Sequence, residues 1–238
     1  MHGVAASVLL TALSIGAAQA ASAPPLVADG GKIGDGWKVV GLPKQSKPFT
    51  QFAAVRVGDR AAVRIEAKSS YGNLVYDVPA GATPPKTLRW SWRVDTGIPT
   101  ADLKQKSGDD TPAKVCLSFD IPEEQLSFGE RQKLRIARGV TGQDLPSATL
   151  CYLWDATLPV GTLMDNAFSR RIRQIVLRSG SDGLGQWRDE KRDVAADFKR
   201  AFGDESPTLA PLLAVIVGGD SDNTASNSLS YVTDLHLD

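Results

Sequence analysis

Ala62-Val63-Arg64-Ile65-Glu66-Ala67-Lys68 alternates apolar and charged residues along its whole length. A period of two sets Val63, Ile65 and Ala67 on one face of an extended strand and the charges on the other. The alternation returns at Leu74, Tyr76 and Val78 before Pro79, and at Leu88, Trp90, Trp92 and Val94 between Pro85 and Gly97. It returns in two cysteine-bearing stretches, 114–120 and 149–155, and again across 171–178, 212–217 and 229–237. Short strands divided by Pro, Gly, Asp and Asn read as a mainly β fold. The expected architecture is a single antiparallel β-sandwich, jelly-roll-like in the manner of carbohydrate-binding modules. Strands do not alternate with full-length helices, which disfavours a parallel α/β sheet.

One amphipathic helix is expected near 193–202, where Val194, Phe198, Ala201 and Phe202 fall at helical spacing. Asp193 is its natural N-cap and Gly203 its stop. Residues 123–137 form a charged excursion with room for a short helix; 108–112, 139–146 and 179–185 read as loops, the last a hairpin. Residues 21–36 are rich in Gly, Pro and Ala and are expected to be a flexible lead-in. The remainder, 37–238, requires no second domain.

The chain has 238 residues, 42% hydrophobic, with 27 basic against 27 acidic side chains. Electrical neutrality argues against nucleic acid as a partner, because phosphate neutralisation needs a basic surplus. Residues 1–20 carry no Asp, Glu, Lys or Arg, 4–18 are apolar or small, and Ala18-Gln19-Ala20 supplies the small-x-small pattern of signal-peptide cleavage. The run is too short and too rich in Ala, Ser and Thr for a transmembrane anchor. The expectation is therefore a signal peptide over 1–20, with Ala23 as the alternative site, and a periplasmic or secreted product.

Export would place Cys116 and Cys151 in an oxidising compartment. Each sits opposite the apolar set of its strand, on the less buried face. If the two strands are neighbours, a cross-strand disulfide closes a loop of about 35 residues, worth about 3–4 kcal/mol; if not, two free thiols remain. Without a C-x-x-C or a nearby His, metal and redox chemistry are poor readings.

Several motifs occur in order: Leu88-Arg-Trp-Ser-Trp-Arg-Val94, Gly108-Asp-Asp110, Leu150-Cys-Tyr-Leu-Trp-Asp155, the stretch 192–203, and Asp220-Ser-Asp-Asn-Thr224. Over about residues 36–238 this set resembles the bacterial DUF3047 family, a domain of unknown function. Lys114, where that family leads one to expect Arg, and the stretch 71–74 depart from it. The resemblance implies an exported, single-domain β-sandwich and no particular activity.

Catalysis has few candidates. His236 is the one histidine beyond the signal peptide, and there is no G-x-S-x-G elbow or phosphate-binding glycine loop. The carboxylates Asp109, Asp110, Asp220 and Asp222 flank strands in loops, with Asn223 beside them. Short acceptors at such positions cap turns; Asp220, Asp222 and Asn223 also suit a structural Ca²⁺, whose ligands are oxygens. An acid/base pair would require Asp109/Asp110 and Asp220/Asp222 to converge.

Trp90, Trp92, Tyr152 and Trp154 share faces with aliphatic residues and belong in the core. Trp37, Tyr71 and Trp187 lie outside clean strand patterns and are the candidate exposed platforms. The polar strand faces carry Arg89, Ser91, Arg93, Lys114, Ser118, Asp120 and Asp155. On adjacent strands these would make one charged surface, either of cross-strand salt bridges or for a ligand. Arg89, Arg93, Lys114, Asp120, Asp155 and Trp187 form the ligand-binding set. The preferred reading is a non-catalytic binder of a glycan or other polar envelope ligand. Its rivals are a carboxylate-dependent hydrolase or lyase and an envelope assembly factor.

Overall fold

A computed structural model describes residues 19–238. The expected signal peptide lies outside these residues except for Gln19 and Ala20. The chain opens with a two-stranded ribbon, β1 (Val27–Ala28) and β2 (Lys32–Ile33). There follow β3 (Trp37–Val40), β4 (Gln51–Val57), β5 (Arg60–Lys68), β6 (Asn73–Asp77), β7 (Thr87–Thr96) and β8 (Thr111–Phe119). Helix α1 (Phe128–Thr141) precedes β9 (Ala148–Asp155), β10 (Leu163–Asp165), β11 (Ile172–Ser179) and β12 (Arg188–Asp193). Helix α2 (Val194–Phe202), β13 (Leu212–Asp220) and β14 (Asn227–Leu237) complete it.

The strands form a seven-stranded sheet, β10-β11-β9-β8-β13-β6-β3, and a five-stranded sheet, β12-β7-β14-β5-β4. All pairs are antiparallel except β9 with β11, which run parallel. The fold is mainly β, a jelly-roll-like sandwich. Its centre is aromatic: Trp90 and Trp92 of β7 meet Tyr152 and Trp154 of β9, with ring centres 5.4 Å and 6.1 Å apart. All four are essentially excluded from solvent, as their period-two spacing requires once each strand shows one face to the opposing sheet.

Helix α2 closes one end. The Asp193 carboxylate accepts the Ala196 N–H as the expected N-cap, and Phe198 packs on Phe119 with ring centres 4.9 Å apart. Buried Asp197 accepts from the Tyr152 hydroxyl and from Arg192, tying the helix to the core of one sheet and the edge of the other.

Four expectations change. The lead-in 21–36 is packed: Ala21 and Leu26 are each 3% exposed, and Ala21 N–H donates to the Thr83 carbonyl. Trp37 is no platform; it starts β3, is buried, and leans on Tyr76. The loop after β11 is a crossover between the two sheets rather than a hairpin. Helix α1 runs on to Thr141, where Gly142 ends it in the left-handed conformation at φ 66°.

Candidate functional site

The face of the seven-stranded sheet turned away from the core is unusually well covered. Register aligns three rows across it. One runs Val40, Asn73, Gly218, Lys114, Leu153, Val176. The next runs Val75, Ile216, Cys116, Cys151, Gln174, and the third Asp77, Ala214, Ser118, Thr149, Ile172. Leu103, from the loop after β7, packs on Leu153 and Val176 and buries that end. The cysteine faces are therefore not the exposed ones their polar company suggested. Cys116 and Cys151 are 2% and 5% exposed; they are directly paired in register and joined by a disulfide, Cα atoms 4.1 Å apart.

At the Lys114 end of this face the two acidic loops converge. Asp110, 1% exposed, accepts from the backbone N–H groups of Asn223 and Thr224, the Asn223 amide and the Thr224 hydroxyl. Asp220 accepts the Thr111 N–H through Oδ1 and Lys114 Nζ through Oδ2 at 2.8 Å. The ammonium also lies 5.3 Å from the centre of the Tyr71 ring. Its side chain is only 14% exposed. Burial alone would lower its pKa; the Asp220 carboxylate, then Tyr71 and Asp109, outweigh that and hold the group above the ordinary lysine value. Any side chain at Gly218 would collide with the Asn73 amide and the Lys114 stem. The glycine thus opens the space where they meet.

Asp109 extends the cluster. Its Oδ2 accepts from the Asn166 amide at 2.6 Å, and the Gln174 amide nearby favours its charged form. Burial pushes its carboxyl above the usual range despite these donors and Lys114. Burial, then Asp220 and Asp110, does the same to Asp222. Asn166 also lines a groove of about 620 Å³ between α1 and the loop preceding β11, walled by Leu134, Leu145, Pro146, Phe168 and Ile172. One side chain is thus shared by the polar cluster and an apolar trough.

The expected ligand-binding set divides between two faces. Lys114 belongs to the cluster above. Asp155 is buried, 3% exposed, and caps the following loop by accepting from Thr157 and Leu158 N–H. Asp120 is exposed just past β8 and is held through its backbone N–H to Pro211. Arg89 and Arg93 lie on the outer face of the five-stranded sheet, paired with Asp238 and Asp95. Trp187 joins them there, half-buried, leaning on Tyr231 with the Arg60 guanidinium 5.2 Å from its ring centre. A single charged surface does not form, because β7 belongs to one sheet and β8 and β9 to the other. His236 borders a shallow depression of about 380 Å³ with Arg89 on that second face.

The oxygens of Asp220 are taken by Thr111 and Lys114 and the amide of Asn223 by Asp110. Among the described residues no group of three or more His, Cys, Asp or Glu is placed to hold a metal ion. Asp110, rather than Asp222, is the residue that secures the turn. Replacing Asp110 by Ala strands several donors of the 223–224 turn and should cost about 2 kcal/mol, lowering Tm by a few degrees. EDTA should leave the wild-type Tm unchanged. A calorimetric scan checks both, and an EDTA-sensitive wild type would favour the Ca²⁺ expectation instead.

Fold and site define a jelly-roll-like β-sandwich with a buried ion-pair cluster and a groove on one outer face. By sequence the chain belongs to DUF3047, a family described as protein of unknown function, whose model matches residues 35–236. No curated protein matches it in sequence. Among solved structures, the family 29 carbohydrate-binding module CBM29-2 is similar at 10% identity and TM-score 0.37, over 91% of this chain and 85% of that one. The endoglucanase cel12A from Rhodothermus marinus is similar at 12% identity and TM-score 0.41, over 84% and 94%.

Proposed function

We propose that the chain is an exported, non-catalytic binder of a glycan or similarly hydroxyl-rich polar ligand, seated on the outer face of the seven-stranded sheet. The observation that carries this is the junction at Asn166. There an apolar-walled groove of about 620 Å³ adjoins a cluster of buried hydrogen-bonding side chains. Apolar walls with a few placed polar groups are the common make-up of small-molecule and sugar sites. The disulfide is compatible with an oxidising, extracytoplasmic compartment, and no helix among the described residues is long and apolar enough to cross a membrane.

A screen of the disulfide-bonded protein against immobilised envelope and plant polysaccharides tests the reading. At least one should retain it, and Asn166→Ala, at the junction of groove and cluster, should reduce retention. Retention by none would overturn it. The rival hydrolase or lyase draws support from the convergence of Asp109 with Asp220 and Asp222 around Lys114. It would show as shortened products from any glycan that retains the protein. The assembly-factor reading draws on α1, whose Phe128, Ile136 and Val140 are 72%, 65% and 75% exposed.

A further inference from the structure

The charges that line the groove do not balance. Lys133, Arg170 and Arg171 border it against a single carboxylate, Glu130. Asp165 and Glu205, which answer Arg170 and Arg171, stand outside the lining. Glu130 is itself divided between two cations, with Lys133 Nζ at 2.9 Å and Arg171 Nε at 3.2 Å. Its carboxyl reflects the imbalance. Burial pushes it up, yet Lys133, Arg171 and Arg170 outweigh that and hold it below the usual range. Lys106 adds a further cation beside the groove, 5.4 Å from the centre of the Phe168 ring.

Two of these cations have donors to spare, and they stand on opposite walls. Lys133, exposed on α1, commits one of its three donors, to Glu130. Arg170, exposed in the loop preceding β11, bonds Asp165 through Nε. Both its terminal nitrogens are without a protein partner among the described residues. Arg171 differs: it is buried, its terminal nitrogens are taken by Glu205 and the Ser147 carbonyl, and it contributes a fixed charge.

We propose that the groove takes an acidic glycan, a uronate-bearing chain whose carboxylate is held between Lys133 and Arg170 while the sugar ring lies along the apolar walls. The inference rests on the glycan reading above and specifies its ligand class. A carboxylate only accepts, through two oxygens. It therefore engages the spare donors of both walls and offsets the surplus charge together. A neutral hydroxyl does only the first. An amino sugar would bring a fourth cation among three.

Isothermal titration of the intact, disulfide-bonded protein with oligogalacturonates and oligomannuronates, each beside its methyl ester, tests the proposal. Esterification removes the charge and keeps the sugar backbone. At least one acid should bind about tenfold tighter than its ester, as expected for charge-assisted hydrogen bonds. Salt at about 1 M should abolish most of that advantage. Lys133→Gln and Arg170→Gln should each shrink the acid-to-ester ratio several-fold; both side chains are exposed, so the fold should tolerate either change. Lys191→Gln, an equal charge loss on β12 of the other sheet, should leave the ratio unchanged. Acids that bind no tighter than their esters overturn the proposal and leave the glycan reading standing. So does the failure of both acids to bind a protein that a neutral polysaccharide retains in the screen above. A ratio lowered as much by Lys191→Gln as by the other two overturns the assignment of Lys133 and Arg170. If no glycan of any kind binds, the reading beneath it fails as well.

Discussion

Replacing Asp220 by alanine is expected to lower the melting temperature by roughly 10 °C, since removing one partner of a buried ion pair costs about 3–5 kcal/mol. Asp220 is 5% exposed and Lys114 has nowhere to withdraw: its stem lies between Gly218 and the Tyr71 ring. The variant would leave an ammonium without its carboxylate and the Thr111 N–H without its acceptor. Much of that cost comes from the surviving charge. The double replacement Lys114→Met with Asp220→Leu should therefore recover most of the loss, and a four-way thermal-melt cycle would display the coupling. A single variant that melts with the wild type would show that the cluster is not held by this pair.

Removing both cysteines, as Cys116→Ala with Cys151→Ala, should likewise lower Tm by roughly 10 °C. The bridge closes a sequence separation of 35 residues, for which chain entropy in the unfolded state corresponds to about 3–4 kcal/mol. The loop holds all of α1, whose buried residues are only Glu130 and Leu134. The helix contributes little apolar burial of its own to keep β8 beside β9. Melting with and without dithiothreitol gives the same comparison without mutation, and a reductant-insensitive Tm would contradict it. Thiol labelling of the unfolded, unreduced protein should find none free.

What the sequence disclosed followed from alternation. Val63 and Ile65, Leu88 through Val94, and Leu150 through Trp154 announce their buried faces because one side of each strand meets the other sheet. Alternation says nothing about which strand lies next to which. Arg93 and Lys114 have equivalent patterns and were expected on one surface; they lie on opposite outsides of the sandwich. The convergence of Asp109 with Asp220, and of Cys116 with Cys151, is a matter of strand order in the same way. Strand β12, Arg-Asp-Glu-Lys-Arg-Asp, contains no apolar residue. It is held at a sheet edge by backbone pairing to β7 and by Glu190, which accepts from Trp92 and Arg178. The burial of the disulfide and Gln174 was hidden for another reason: the cover over that outer face comes from loop residues such as Leu103, not from a second sheet.

The positions of β13 and β14 bear on how the chain acquires its shape. The two last strands are central ones, β13 between β8 and β6 and β14 between β7 and β5. Until residues from Leu212 onward are present, the larger sheet is two separate pieces and the smaller one is also two. Hairpins such as β4–β5 and β8–β9 can form early, because their partners are close in sequence or separated by one helix. Joining them requires pairings between distant segments, and such closures are slow. A chain delivered N-terminus first, from a ribosome or through a pore, would thus stay a set of unlinked hairpins until its C-terminal strands arrive. Cooperative folding would then follow as one late event, with little intermediate structure to obstruct passage.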